Sequence, residues 1–575
     1  MATPSRLPSK PFFPGLPLEF APALVLFCSL AANSATAQSN IPSKPESDAI
    51  HGTVVNSRTH EPIGHALVYS PDNRFATMTD DRGRFQFNFV QAESQTSYVV
   101  RHPLADRPYT LMARKPGFLA PNYEPQVPLP GEAQTDITIP LVPEALIVGH
   151  VRVPGSDGSE RIQVELLRRT ILEGAERWES AGTITSKTDG EFRFAELQPG
   201  SYKLVTRELL DRDPLSFDPR GQLFGYPPVY YPSGTDFAAA SVIQLSPGTT
   251  FVANISPTRC EYYPVKIKLA NATADSPINI QVWPQGHPGP GYALGYNQAE
   301  GLIQGLLPDG FYVLQVSSYG PQRMNGTSNL LIKGASVEGQ TATLLPDVSI
   351  PVSIREEFQL QETLSQVSAW ESNTRANARP RYLNVSLVPA EGYGAAEGAS
   401  LRQPQNPQDD SPLVIENVRP GRYRVLVNTQ IGFASAITSG GSDLLSQPLV
   451  VPSGGATSPI EITLRDDGAE IEGAVEDPPS ASTNSSRQSG GQVYFIPVAG
   501  NNGQFRLAWL SPDGKFQQRQ LPPGEYHVLA FNRPHPDLEY RNAEVMSKYD
   551  SKGQALLVTP GQKVHLRLQL ITPDD

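Results

Sequence analysis

The stretch "SKTDGEFRFAELQPGSYKLVTREL", Ser186 to Leu209, decides the fold. It returns as "SPDGKFQQRQLPPGEYHVLAF", Ser511 to Phe531. Each has Asp-Gly-x-Phe, then Pro-Gly-x-Tyr ten residues on. Asp-Gly is the tightest hairpin signal a sequence offers. Phe192 and Phe194 then alternate with period two, as half-buried strand residues do. In the second phrase Pro presets φ for a turn and Gly supplies φ > 0. The tyrosine opens another strand, with Tyr202 and Leu204 on one face. The expected unit is a hairpin, a strand, a second turn and a further strand, all feeding one core.

Working outward, the Pro-Gly-x-Tyr phrase recurs in "LLPDGFYVLQV" from Leu306, with one inserted residue, and in "VRPGRYRVLV" from Val418. Its glycines are Gly200, Gly310, Gly421 and Gly524, spaced by 110, 111 and 103 residues. That period exceeds the solenoid range and fits one small all-β domain per repeat. Openings read apolar-x-Gly-x-Val: "IHGTVV" at Ile50, "IVGHVRV" at Ile147, "IEGAVED" at Ile471. Endings alternate: "TDITIPLV" at Thr135, "LSPGTTFVANI" at Leu245, "IEITLRD" at Ile460, "TPGQKVHLRLQL" at Thr559. The third and fourth units open on "YYPVKIKLA" and "DVSIPVSIREEF", without the glycine.

Composition agrees. The chain has 575 residues, too many for one core. Its 56 prolines disfavour long helices and suit short strands joined by turns. The formal net charge is −12, and no Lys/Arg run forms a basic patch, so nucleic acid is not an expected partner. Arg6 and Lys10, the apolar run Ala21–Ala32 and the small-residue site Ala35–Ala37 have the layout of a signal peptide. No later stretch has the length of a membrane helix. Cys28 would leave with the leader, so Cys260 would stand alone, with no intramolecular disulfide and no cysteine-based metal site.

The expectation is an all-β tandem array of about five small antiparallel β-sandwich domains, transthyretin-like or Ig-like, after a signal peptide. The segments are 1–37 signal peptide, 38–47 linker, and units 48–143, 144–257, 258–346, 347–466 and 467–575. The fourth unit carries an insertion at 356–378, which reads as a short helix or a long exposed connection. Residues 480–491 read as a polar loop.

The first unit has the pattern Gly52-x-Val54, Pro62-Ile63, Ala66-x-Val68 and Thr79-Asp80-x-x-Gly83-x-Phe85. It resembles the carboxypeptidase regulatory-like domain, a transthyretin-like sandwich. The match is good over about a hundred residues, fair in the second and last units, and faint in the middle two. Turn glycines and core apolar residues make up this motif, so it implies a fold and not an activity.

The resemblance carries an enzyme family's name, but the sequence lacks that chemistry's motifs. None of the nine histidines begins His-x-x-Glu, and there is no His-Glu-x-x-His, Gly-x-Ser-x-Gly or phosphate-binding loop. His51, His60 and His65 read as scattered surface histidines rather than a metal site. Asp80, Asp81 and Asp189 read as turn residues rather than calcium ligands. No catalytic residue, metal or cofactor is expected. Aromatic, turn-rich stretches are the functional lead: "FGYPPVYYPSG" from Phe224 and "WPQGHPGPGYALGY" from Trp283. Tyr226, Tyr230, Tyr231, Trp283, Tyr292 and Tyr296 are candidate ligand-binding residues, their flat faces suited to sugars. Alternatively they plug the joints between domains. The expected role is a non-catalytic binding or scaffolding module of the cell envelope, in the periplasm, on the surface or secreted, with an envelope protein or polysaccharide as partner. The alternatives are a starch-binding-like carbohydrate-binding array and the accessory region of a hydrolase system with a site of unrecognised pattern.

Overall fold

The computed structural model describes residues 49–70, 76–88, 109–120, 126–127, 137–154, 161–210, 222–273, 276–285, 291–320, 322–360, 383–390, 398–402, 412–476, 491–498, 504–511 and 513–572. The leader and linker, most of the insertion and most of the polar loop lie outside these residues. The chain is a tandem array of β-sandwiches. Five apolar cores follow one another, centred on Val54 and Ile139, Ile147 and Leu204, Ile267 and Leu314, Val385 and Ile462, and Phe495 and Val528. The one α-helix among the described residues is Ala543–Met546, capped by the Asn542 side chain.

One topology recurs. Each unit's opening strand lies between the strand that precedes the Pro-Gly turn or its counterpart, which pairs antiparallel, and the closing strand, which pairs parallel. The opening strands are Ala49–Asn56, Ala145–His150, Cys260–Ala270, Val348–Glu357 and Ala469–Glu476. Their parallel partners are Ile137–Pro143, Thr250–Val252, Val337–Thr343, Ile460–Arg465 and Lys563–Ile571. Most other pairings are antiparallel, so the parallel seam marks where each unit closes on itself.

The recurrent glycine of the opening strand has a steric cause. A Cβ at Gly149 would stand 1.6 Å from the Ala253 carbonyl oxygen and 2.9 Å from the Phe192 ring. At Gly473 it would stand 2.4 Å from Phe516 and 2.6 Å from the Leu566 oxygen. In both units glycine pairs with the phenylalanine of Asp-Gly-x-Phe, whose ring lies over the bare backbone.

The Asp-Gly turn does not close a hairpin, contrary to the sequence expectation. Ala175–Thr185 before it belongs to one sheet; Glu191–Leu197 after it pairs with the opening strand in the other. The turn is a corner between sheets. Asp189 Oδ1 accepts the Glu191 N–H at 2.9 Å, and Asp80 Oδ1 accepts those of Arg82 and Arg84 at 2.9 and 2.8 Å. These bonds hold the Asp80 carboxyl below its usual pKa, the Arg84 N–H contributing most. The Pro-Gly turn is a second corner. Its glycines have φ of 146°, 159°, 157° and 155°. The tyrosine hydroxyl then reaches back four residues: Tyr202 to the Gln198 carbonyl at 2.7 Å, Tyr312 to Pro308 at 3.0 Å, Tyr423 to Arg419 at 2.9 Å, Tyr526 to Pro522 at 2.7 Å. A buried hydroxyl thus finds its acceptor in the turn that delivers it, a form of tyrosine corner.

Candidate functional site

Two polar joints stand out. The first links the second and third units through a shared sheet. Leu209–Leu210 and Leu223–Tyr226 follow the second unit's Gly200–Thr206 strand and pair with each other, and Leu223–Tyr226 pairs onto the third unit's opening strand, Leu223 opposite Tyr262. Glu208 sits at this crossing. Its Oε1 accepts the Ala293 N–H, whereas Oε2 is buried and has no hydrogen-bond partner; the same holds for the Tyr262 hydroxyl. Burial raises the Glu208 pKa to about 7, against a smaller lowering by the Ala293 N–H. Burial likewise pushes Tyr262, Tyr292 and Tyr312 far above the ordinary phenol range. Tyr292 meets Tyr312 edge-on, ring centroids 5.1 Å apart. The joint is dry, aromatic and holds one unpaired acid.

The second joint brings three units together. The second unit's long hairpin, Gln163–Leu172 and Ala175–Thr185, turns at Glu173-Gly174, both with positive φ (50° and 69°), as a two-residue type I′ turn needs. Its tip rests on the fifth unit. The Arg541 backbone N–H donates to the Gly174 carbonyl at 3.1 Å, and Arg541 Nε to the Glu173 carbonyl at 2.7 Å. Tyr540 Oη donates to Glu173 Oε2 at 3.3 Å, and Arg169 pairs with the buried Glu539. Arg177 Nη1 reaches the fourth unit's Pro389 carbonyl at 3.3 Å. Gln504 of the fifth unit donates to the fourth unit's Ala434 carbonyl.

Between these elements lies a cavity of about 580 Å³. Its lining includes Arg424 from the fourth unit, Gln504, Arg506, Tyr540 and Arg541 from the fifth, and Glu173 from the second. Phe505 and Tyr540 stack at 4.3 Å between centroids. Arg506 donates to the Phe505 carbonyl at 3.1 Å and to Gln504 Oε1 at 3.0 Å, with no carboxylate partner among the described residues. The Arg424 side chain has no hydrogen bond or ion pair there. Burial lowers the pKa of Arg424, and repulsion from Arg541 adds to it; burial also lowers that of Arg506.

The aromatic residues singled out from sequence are dispersed. Tyr230 is 5% exposed, in an apolar cluster with Leu167, Trp178 and Val205, edge-on to Phe237. Tyr231 packs on the second core against Phe251. Tyr226, also 5% exposed, donates to the Pro154 carbonyl at 2.8 Å. Tyr292 and Tyr296 pack on the third core, and half-buried Trp283 pairs with Val313 in its sheet. The structure brings Tyr292 to the dry joint, where Leu209–Leu210 pairs with the strand ending in Tyr226. It gathers no shared aromatic surface from the six. Among the described residues no three His, Cys, Asp or Glu side chains group as metal ligands. No helix there is long and apolar enough to cross a membrane.

No family model matches the chain, and no curated protein matches it. Solved structures give distant likenesses. The Bacillus anthracis TIE protein is 10% identical, over 72% of this chain and 69% of its own, with a TM-score of 0.14. The shaft pilin SpaA from Lactobacillus rhamnosus GG is 10% identical, over 37% and 98%, with a TM-score of 0.17. Two B repeat units of the Staphylococcus aureus collagen-binding protein are 11% identical, over 73% and 100%, with a TM-score of 0.11.

The sequence carries little signal of the three-unit joint. The pair Glu173-Gly174 between two long alternating strands was its available signal. Arg424 and Arg506 carried none, because each is an unremarkable strand arginine until three units converge.

Proposed function

We propose that the chain is a non-catalytic, exported binding or scaffolding protein of the cell envelope, its first unit of the carboxypeptidase regulatory-like kind. The observation that carries this reading is the joint at which one unit's hairpin docks on two later units and encloses a cavity. Cavities between domains are favoured places for ligands. The export layout at the N-terminus supports the compartment. Fractionation of the native host tests it, together with N-terminal sequencing of the mature protein and retention of envelope proteins or polysaccharide on the immobilised chain. Envelope recovery, a mature N-terminus near Gln38 and specific retention are expected. Cytosolic recovery with Met1 or Ala2 intact would overturn the reading.

Carbohydrate binding is favoured by one different residue. Trp509 is 58% exposed beside an open groove on the fifth unit, which Gln517, Gln554 and His565 also line. An exposed indole with polar neighbours suits a sugar's CH face and hydroxyls. Glycan-array binding abolished by Trp509→Ala would support this; binding unchanged by that substitution would remove it.

A further inference from the structure

We propose that the cavity among the second, fourth and fifth units binds a small organic anion through Arg424 and Arg506. The inference rests on the reading of the chain as a binding protein and names the ligand's chemistry. Three guanidinium groups line this space, whereas the lining supplies one carboxylate, that of Glu173. The chain as a whole carries a net charge of −12, so a cationic cavity runs against its overall sign.

The arginines are not equivalent. Arg541 is committed to the joint, bonded to the Glu173 carbonyl and lying over the Tyr540 ring at 5.6 Å. Arg506 is held by the Phe505 carbonyl and Gln504 Oε1, neutral acceptors that orient a guanidinium without cancelling its charge. The Arg424 side chain has no hydrogen bond among the described residues, yet it is partly buried and feels the repulsion of Arg541 more than the attraction of Glu173. A buried cation without a hydrogen-bonded partner is costly. An oxyanion accepting from Arg424 and Arg506 removes that cost and matches the guanidinium fork. The volume, about 580 Å³, lies within the ordinary range for small-molecule sites. The Phe505–Tyr540 stack supplies an apolar wall for the ligand's body.

Carboxylate, phosphate and sulfate share the required chemistry, and calorimetry on the full purified chain separates them. Sodium citrate, phosphate and sulfate are titrated at pH 7.5 against sodium chloride of matched ionic strength, with thermal unfolding in parallel. Saturable binding of at least one probe is expected, weakened tenfold or more in Arg424→Gln and Arg506→Gln and partly restored in Arg424→Lys. Saturation by citrate alone assigns a carboxylate; saturation by phosphate or sulfate assigns the tetrahedral oxyanion. Arg424→Gln should also melt higher than the unsubstituted chain without anion, because a partly buried charge that Glu173 offsets only in part is gone. No probe exceeding chloride, or wild-type affinity in Arg424→Gln, would overturn the proposal. Loss of anion binding with envelope retention intact would leave the scaffolding reading in place, so the two fail separately.

Discussion

The two joints solve opposite electrostatic problems by opposite means. Between the second and third units one carboxyl, Glu208, is packed among Tyr262, Tyr292 and Tyr312 with one oxygen unpartnered. Where the second unit meets the fourth and fifth, arginines outnumber acids around an open space. The acid can shed its charge by taking up a proton near neutrality. An arginine cannot shed its charge at all and needs an anion. Desolvation is thus relieved by titration in the joint between the second and third units and by occupancy in the arginine-lined one.

The strongest way to break this contrast is Glu208→Gln. Below about pH 4.5 the carboxyl is protonated in both folded and unfolded chains, and the substitution should do little. Between 4.5 and about 7 the unfolded chain ionises while the folded one resists, so native stability declines as pH rises. At pH 8 the glutamine variant should gain about 3 kcal/mol in the opening of the third unit, at 1.36 kcal/mol per pKa unit. Protection of the Cys260–Ala270 amides at pH 5 and pH 8, corrected for intrinsic exchange, reads this. Equal protection of variant and parent at pH 8 would mean that Glu208 is not held in a desolvated site.

Gly174→Val probes the arginine-lined joint. Valine at φ 69° costs about 1–2 kcal/mol, and a Cβ there would meet the Tyr540 ring at 2.6 Å. The hairpin should undock by about 2 kcal/mol in all, read as faster exchange of the Arg541 amide that donates to the Gly174 carbonyl. An unchanged rate would detach the hairpin from the joint's stability.

A paired comparison sharpens the contrast. Tyr312→Phe removes the bond to the Pro308 carbonyl and also the acceptor of the Tyr292 hydroxyl beside the dry joint, and should cost about 2 kcal/mol. Tyr526→Phe removes the bond to Pro522 and also the acceptor of the Gln504 N–H at 3.1 Å on the cavity wall. It should cost about 2 kcal/mol and weaken anion binding, whereas Tyr312→Phe should leave binding alone. Similar costs in urea unfolding of the two units are expected, and anion binding unaffected in both variants would uncouple the corner from the cavity.

The array of sandwiches was legible because turn glycines and alternating apolar residues recur near a fixed period. The route between the sheets was not. Asp189-Gly190 has the composition of a hairpin turn, but an Asx bond and a left-handed glycine serve equally well at a corner; only the partner of Phe192 distinguishes them. Glu196, Asn417 and Gln520, four residues before their Pro-Gly glycines, have φ of 56°, 57° and 54° at corresponding bulges, although no common residue type marks the place. The aromatic setting of Tyr226 and Tyr230 is legible in the sequence; their burial is not, since it depends on Pro154 and Phe237. The arginine-lined cavity lay beyond the sequence because its walls come from positions more than three hundred residues apart, from Glu173 to Arg541.

The parallel seam gives each unit a mechanical character. With first and last strands side by side and pointing the same way, tension on the two ends of a unit acts along the ladder. Its hydrogen bonds then bear force together as shear rather than peeling open one at a time. Residues Glu470–Glu476 against Lys563–Gln569 form the longest such register, making the fifth unit the best suited of the five to resist a steady pull.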